Sequence, residues 1–202
     1  FEKWPWSCVL NVQYNGLVCN NDAYVRIPYK PFRENVINGY TMEIVYTPEH
    51  SGNDLARVLE YVDHESPYTG VFIDINEANI KSESETSMGT VDLDYESGEI
   101  QVDFVIDREN KMCRMYVNGI VSRYWMLSDS GNTRESFAID TDYIYINFSA
   151  INPEFRGGTN VVRKFICYER ALTHDEVIQN LIANQPDLPS MQKMYKWNYE
   201  TQ

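Results

Sequence analysis

The chain has 202 residues, 43% of them hydrophobic, which suits one domain whose core is large enough to fold without a metal or a disulfide. Its formal net charge is −13 and its pI is near 4.6, and no basic cluster offsets that surface, so a nucleic-acid partner is disfavoured. No apolar run reaches the length of a spanning helix, which argues against membrane insertion.

The elements read in chain order as short strands between turns. Asn-Gly, a strong two-residue hairpin signal, occurs at Asn15-Gly16, Asn38-Gly39 and Asn118-Gly119. Strand-like runs cover Ser7 to Tyr14, Ala23 to Pro28, Tyr40 to Thr47, Arg57 to Val62 and Val71 to Ile75. Apolar and acidic residues then alternate from Val91 to Glu96, and Ser97-Gly98 turns the chain into Ile100 to Asp107. Met112 to Val117 and Ile120 to Leu127 complete a meander, with Cys113, Met115 and Val117 on one face and Arg114 and Tyr116 on the other. Tyr143 to Ser149 sets Ile144, Ile146 and Phe148 against Tyr143, Tyr145 and Asn147, and Val161 to Tyr168 is the last long strand. Thr173-His174-Asp175-Glu176 is a capping box, and Val177, Ile178, Leu181 and Ile182 continue it as a helix that stops before Pro186. The expected organisation is an all-β, two-sheet antiparallel sandwich (a jelly roll) over residues 1–185 with one late helix, followed by a linker or docking tail over 186–202. The start at Phe1 reads as a piece of a longer protein.

The four cysteines, Cys8, Cys19, Cys113 and Cys167, form no C-x-x-C pair and match no zinc motif. Cys113 and Cys167 read as buried free thiols; a Cys8–Cys167 bridge between the first and last strands is the alternative.

Two segments carry a family resemblance. QVDFVIDRENKMCRMYVNGIVSR, from Gln101 to Arg123, resembles the Y-V-N-G hairpin of laminin-G-like domains in the concanavalin A-like superfamily. VRKFICYERALTHDEVIQN, from Val162 to Asn180, resembles that family's closing strand and R-A-L-T-x-x-E-V helix start, matched at Arg170, Ala171, Leu172, Thr173, Glu176 and Val177. The resemblance implies a lectin-like sandwich. Domains of this kind bind carbohydrate or protein at cell surfaces, in secreted bacterial proteins and in phage tail or baseplate proteins, some with calcium. The matched residues build a turn, a cap and a core strand, so they speak for fold and not for chemistry.

Candidate sites follow from residue chemistry. Tyr143, Tyr145 and Asn147, with Arg114 and Tyr116, are expected on one exposed sheet face, where rings stack on sugars and an amide reads hydroxyls; coverage by loops or by another domain is the competing reading. Trp125 is a further candidate, with an equal case for core packing. Oxygen-rich turns at Asp74-Ile75-Asn76-Glu77 and Asp140-Thr141-Asp142 are weak calcium candidates without the EF-hand pattern. Asp92, Asp94 and Glu96 resemble the acidic strand of some sandwich-fold glycoside hydrolases, although Asp92 is one methylene short and a solvated acidic face is the plainer reading. His50, His64 and His174 make no metal or triad pattern. Asn147-Phe148-Ser149 fits the N-glycosylation pattern inside a strand and is read as chance. Together these imply a non-catalytic recognition module of an extracellular, cell-surface or virion protein that binds a glycan or host-surface receptor. A structural module contacting the other domains or subunits of its assembly is the second reading, and a glycoside hydrolase the third.

Overall fold

The computed structural model describes residues 9–11, 16–19, 23–28, 39–49, 56–62, 70–81, 87–94, 98–126, 141–152 and 159–184. Among them are thirteen strands and one helix: β1 (Val9–Asn11), β2 (Gly16–Cys19), β3 (Val25–Pro28), β4 (Tyr40–Glu49), β5 (Arg57–Val62), β6 (Gly70–Asp74), β7 (Glu77–Lys81), β8 (Ser87–Asp92), β9 (Ile100–Asp107), β10 (Met112–Val117), β11 (Ile120–Met126), β12 (Tyr143–Ile146), β13 (Thr159–Tyr168) and α1 (His174–Asn184). They form a two-sheet antiparallel sandwich. One sheet has seven strands in the order β1-β2-β13-β4-β9-β10-β11, the other six in the order β3-β12-β5-β6-β7-β8.

The period-2 alternation read from the sequence decides what lies between the sheets. Tyr40, Met42, Ile44 and Tyr46 of β4, Val102, Phe104 and Ile106 of β9, and Cys113 and Met115 of β10 point inward from the seven-stranded sheet. Leu59 and Tyr61, Val71 and Ile73, Ala78 and Ile80, and Ile144 and Ile146 meet them from the other. Burying a side chain of this size contributes on the order of 2 kcal/mol, and these residues are almost fully inaccessible, so this layer is where the fold is decided.

The β9–β10–β11 meander forms as expected. Asn118 (φ 49°) and Gly119 (φ 77°) both take the left-handed conformation of a tight hairpin turn. At Gly119 any side chain would also meet Ile178 Cδ1 and Leu181 Cδ2 at 2.8 Å, so the helix packs directly over this turn. The capping box is present: Thr173 N–H donates to Glu176 Oε2 (2.9 Å), and Glu176 N–H donates to Thr173 Oγ1 (3.3 Å). Arg170 also pairs with Glu176, and these bonds hold its carboxyl down at about 2.

Three expectations need correction. Gly16–Cys19 and Glu77–Lys81 are strands that the sequence pattern does not mark; Glu77–Lys81 follows a tight turn at residues 75–76 after Asp74, at one of the calcium candidates. The first and last long strands are not neighbours, because β2 lies between β1 and β13. Cys167 is accordingly a free thiol, as is Cys113, while Cys8 lies outside the described residues. Burial pushes the Cys167 thiol up to about 12 and Cys113 higher still, so both act as apolar packing groups.

Strand β12 is the third case. It ends at Ile146 because Asn147 adopts φ 61°, and one left-handed residue breaks the alternation that the sequence suggests through Ser149. Asn147 therefore does not face outward with the tyrosines. It is 1% exposed, donates its amide to Ala23 O (2.8 Å) and accepts from Asn160 Nδ2 of the opposite sheet (2.6 Å). A glycan could not be attached there without unmaking that link, so the sequon is structural coincidence.

Candidate functional site

A sandwich offers two outer faces, and here they differ. The outer face of the seven-stranded sheet is covered by α1, where Val105 and Tyr116 pack against Leu172 and Val177. Arg114 and Tyr116 belong to this closed face. Arg114 donates to the carbonyl of Leu172 (3.2 Å) and pairs with Asp107 (3.4 Å), and Tyr116 is wholly buried with His174 stacked at 5.7 Å. The expectation that they share a face with Tyr143 and Tyr145 is therefore overturned: alternation puts a residue on a face, but only strand order says of which sheet.

The outer face of the six-stranded sheet carries a row of polar and aromatic side chains in direct register across all six strands. Arg26 of β3 lies opposite Tyr145 of β12, Tyr145 opposite Glu60 of β5, and Glu60 opposite Phe72 of β6. Phe72 then lies opposite Asn79 of β7, and Asn79 opposite Thr90 of β8. Directly opposed side chains on one face stand about 5 Å apart, so this is one contiguous strip.

Its centre is a buried charged floor. The Arg57 guanidinium lies 4.1 Å from the Phe72 ring centroid, 2.6 Å from Asp74 and 3.2 Å from Glu60. Glu60 also accepts from Ser149 Oγ (2.6 Å) and from Ala150 N–H (2.8 Å), which ties the segment after β12 to the floor. Thr90 donates to Asn79 Oδ1 (2.5 Å), and Asn79 donates to Glu77 (2.8 Å). Burial pushes the Asp74 carboxyl up to about 7 against the opposing pull of Arg57.

At the β3–β12 end the strip becomes half-exposed and aromatic. Tyr24 stacks on Phe148 at 4.3 Å, Tyr145 lies 5.4 Å from Phe148 and 6.2 Å from Tyr143, and the Arg26 guanidinium sits 4.3 Å over the Tyr143 ring. Tyr24, Arg26, Tyr143 and Phe148 are partly accessible, whereas Tyr145 is 8% exposed and serves as their backing. Rings with apolar faces beside a planar cation and a phenol suit recognition of a polyhydroxylated ligand, because the rings cover C–H surface while the polar edges fix orientation.

Of the residues named from sequence, Tyr143 and Tyr145 come together here; Arg114, Tyr116 and Asn147 lie elsewhere. The Trp125 backbone is in β11 opposite Cys113, and its side chain lies outside the described residues. Tyr24, Arg26 and Phe148 were missed. Alternation in Ala23 to Pro28 sets Tyr24, Arg26 and Pro28 on one face, but nothing in the sequence pairs that strand with β12. Phe148 joins the cluster only because Asn147 reverses the alternation.

The calcium and hydrolase candidates fare differently. The Asp74 carboxylate is taken by Arg57, Asn76 is exposed in the β6–β7 turn, Asp142 is exposed before β12, and Asp140 lies outside the described residues. Among the described residues no three His, Cys, Asp or Glu side chains converge on a metal-sized site. Asp92 and Asp94 are exposed on either side of the buried Leu93, with Glu96, His50 and His64 outside the described residues.

No protein-family model and no curated protein matches the chain. Solved structures do match its fold. The binding domain of botulinum neurotoxin serotype G superposes with a TM-score of 0.56 at 13% identity over 83% of this chain and 42% of that one. The CBM40 module of a Ruminococcus gnavus IT-sialidase, bound to α2,3-sialyllactose, gives 0.56 at 16% identity over 82% and 96%. The binding domain of botulinum neurotoxin DC, in complex with rat synaptotagmin II, gives 0.58 at 11% over 82% and 42%. The chain thus spans 42% of the toxin binding domains it matches, and nearly all of the sialidase module. At these identities the likeness establishes a two-sheet β-sandwich and nothing finer.

Proposed function

We propose that the chain is a non-catalytic recognition module that binds a glycan at the β3–β12 end of its six-stranded sheet. The observation that carries this reading is the half-exposed cluster of Tyr24, Arg26, Tyr143 and Phe148, backed by Tyr145, on the one outer face that the helix leaves uncovered. Structural neighbours that hold sialyllactose or a protein receptor support the same class of role. An acidic sugar is the favoured ligand, because the partly accessible Arg26 guanidinium, 4.3 Å over the Tyr143 ring, places a cation beside the aromatic cluster. An extracellular or cell-surface setting fits such a ligand, and the laminin-G-like sequence features extend the reading to a bacterial surface or phage structural protein.

A glycan array on the folded domain, run with calcium and again with a chelator, tests this. Selective binding of carboxylate-bearing glycans that falls at least about tenfold in Tyr143→Ala and in Arg26→Ala supports it. Binding that survives both substitutions moves the site off this face. Loss of binding in chelator adds a calcium ion to the site. A second reading, a module that contacts protein, is favoured by the exposed Ile120, Val121 and Tyr124 on β11; it gains if no glycan binds in either condition.

A further inference from the structure

Beneath α1 lies a polar layer that the recognition site does not use. Glu43 of β4 and Asp103 of β9 are directly opposed in register on the outer face of the seven-stranded sheet, and both are fully buried. Two carboxylates so placed repel each other strongly when both are ionised. The donors are divided unequally between them. Glu43 Oε1 accepts from Lys164 (2.8 Å) and Asn184 (3.1 Å), and Oε2 accepts from Asn180 (2.7 Å) and Tyr168 (3.2 Å). Asp103 Oδ2 accepts from Gln101 (3.0 Å), and among the described residues Oδ1 has no hydrogen-bond partner. The amide of Gln101 is itself engaged by Asn184, the last residue of the helix (2.8 Å).

We infer that Asp103 is held as the neutral acid while α1 is docked, so that docking of the helix is proton-linked and tightest in mildly acidic solution. The lysine and the helix amides that complete the layer satisfy one carboxylate, Glu43, and among the described residues no cation pairs with the second. The titratable groups facing Asp103 are Glu43 from β4, Tyr116 from β10, and Lys164 and Tyr168 from β13, while α1 brings the uncharged Asn180 and Asn184. Burial, and then Glu43, push Asp103 up to about 8, while Gln101 and Lys164 pull the other way. Tyr168 is pushed up to about 12 and keeps its proton throughout this range.

The sign follows from linkage. With the helix docked Asp103 binds its proton tightly; with the helix released it returns to the ordinary range near 4. The opening equilibrium therefore rises with pH between about 4 and about 8 and levels off above, with a slope approaching tenfold per pH unit.

Amide hydrogen exchange at Val177 to Asn184, corrected for intrinsic rates, measures that equilibrium from pH 5.5 to 8.5 in the wild type and in Asp103→Asn, which keeps the shape of the neutral acid. The expected result is a rising opening constant in the wild type and a much flatter one in the variant; the comparison also separates Asp103 from His174. Equal slopes in the two proteins, or a flat wild type, overturn the proposal. Carboxyl ¹³C NMR of Asp103 in the wild type is the independent reading should the variant not fold: a neutral acid at pH 6.5 supports the proposal, and an ionised one ends it.

Discussion

The two outer faces of the sandwich solve the same problem in opposite ways. The seven-stranded sheet hides its outer side under α1, where an apolar cluster of Val105, Tyr116, Leu172 and Val177 sits beside a hydrogen-bonded polar layer. The six-stranded sheet keeps a charged floor around Arg57 and ends in partly accessible rings. The helix-covered face gains stability by removing apolar area from water. The other face carries charged groups that cost stability when buried and that are paired with one another, beside rings that stay partly accessible. That difference is why the proposed recognition site is sought on the six-stranded side.

The sharpest way to break the comparison is Arg57→Ala. It leaves Glu60 and Asp74 buried without their guanidinium, and a loss of about 3–5 kcal/mol is expected in urea unfolding. The loss is larger at pH 8 than at pH 5, because Asp74, raised to about 7, is protonated at the lower pH and needs no counter-ion. Equal losses at both pH values would mean that Asp74 is not the group left exposed to the cost.

Leu172→Ala acts on the other face. Deleting this 2% exposed side chain from the cluster under α1 costs about 2–4 kcal/mol, seen as a lower Tm, with affinity at the proposed glycan site unchanged. A parallel drop in affinity would couple the two faces and remove the division drawn here.

Asp74→Asn sharpens the electrostatic side. Its folded-state value near 7 lies above the ordinary carboxyl range, so the folded chain holds the extra proton and stability declines as pH rises from about 4 to about 7. In the variant that decline is shallower when unfolding free energies at pH 5 and 7.5 are compared. Thr173→Ala removes the cap and costs about 1 kcal/mol. Tyr143→Ala is the smallest in stability, within about 0.5 kcal/mol for a half-exposed ring, and the largest in affinity at the proposed glycan site.

Much of the fold was legible because its signals are local. Arg57 to Val62, Ile100 to Asp107 and Met112 to Val117 were read with their observed bounds, since alternation and turn residues mark them within a few positions. The capping box at Thr173 and Glu176 was legible for the same reason. Gly16–Cys19 and Glu77–Lys81 were not, because short runs interrupted by Asn, Ala or Gly carry little strand preference and are held by their neighbours. The site was half legible. Tyr143 and Tyr145 alternate visibly; Arg26 and Tyr24 become their partners only through the β3–β12 pairing.

From the residues alone come the sandwich class, the inward and outward sides of most strands and the capped helix, set by spacing within segments, and the acidic surface, set by composition. Tertiary structure alone decided that Arg114 and Tyr116 lie under the helix, that Asn147 turns inward to reach Asn160, and that Arg26, Tyr145, Glu60, Phe72, Asn79 and Thr90 stand in one row. The physical reason is that alternation fixes a side chain's direction relative to its own strand, whereas strand order and one left-handed residue depend on contacts between segments far apart in the chain.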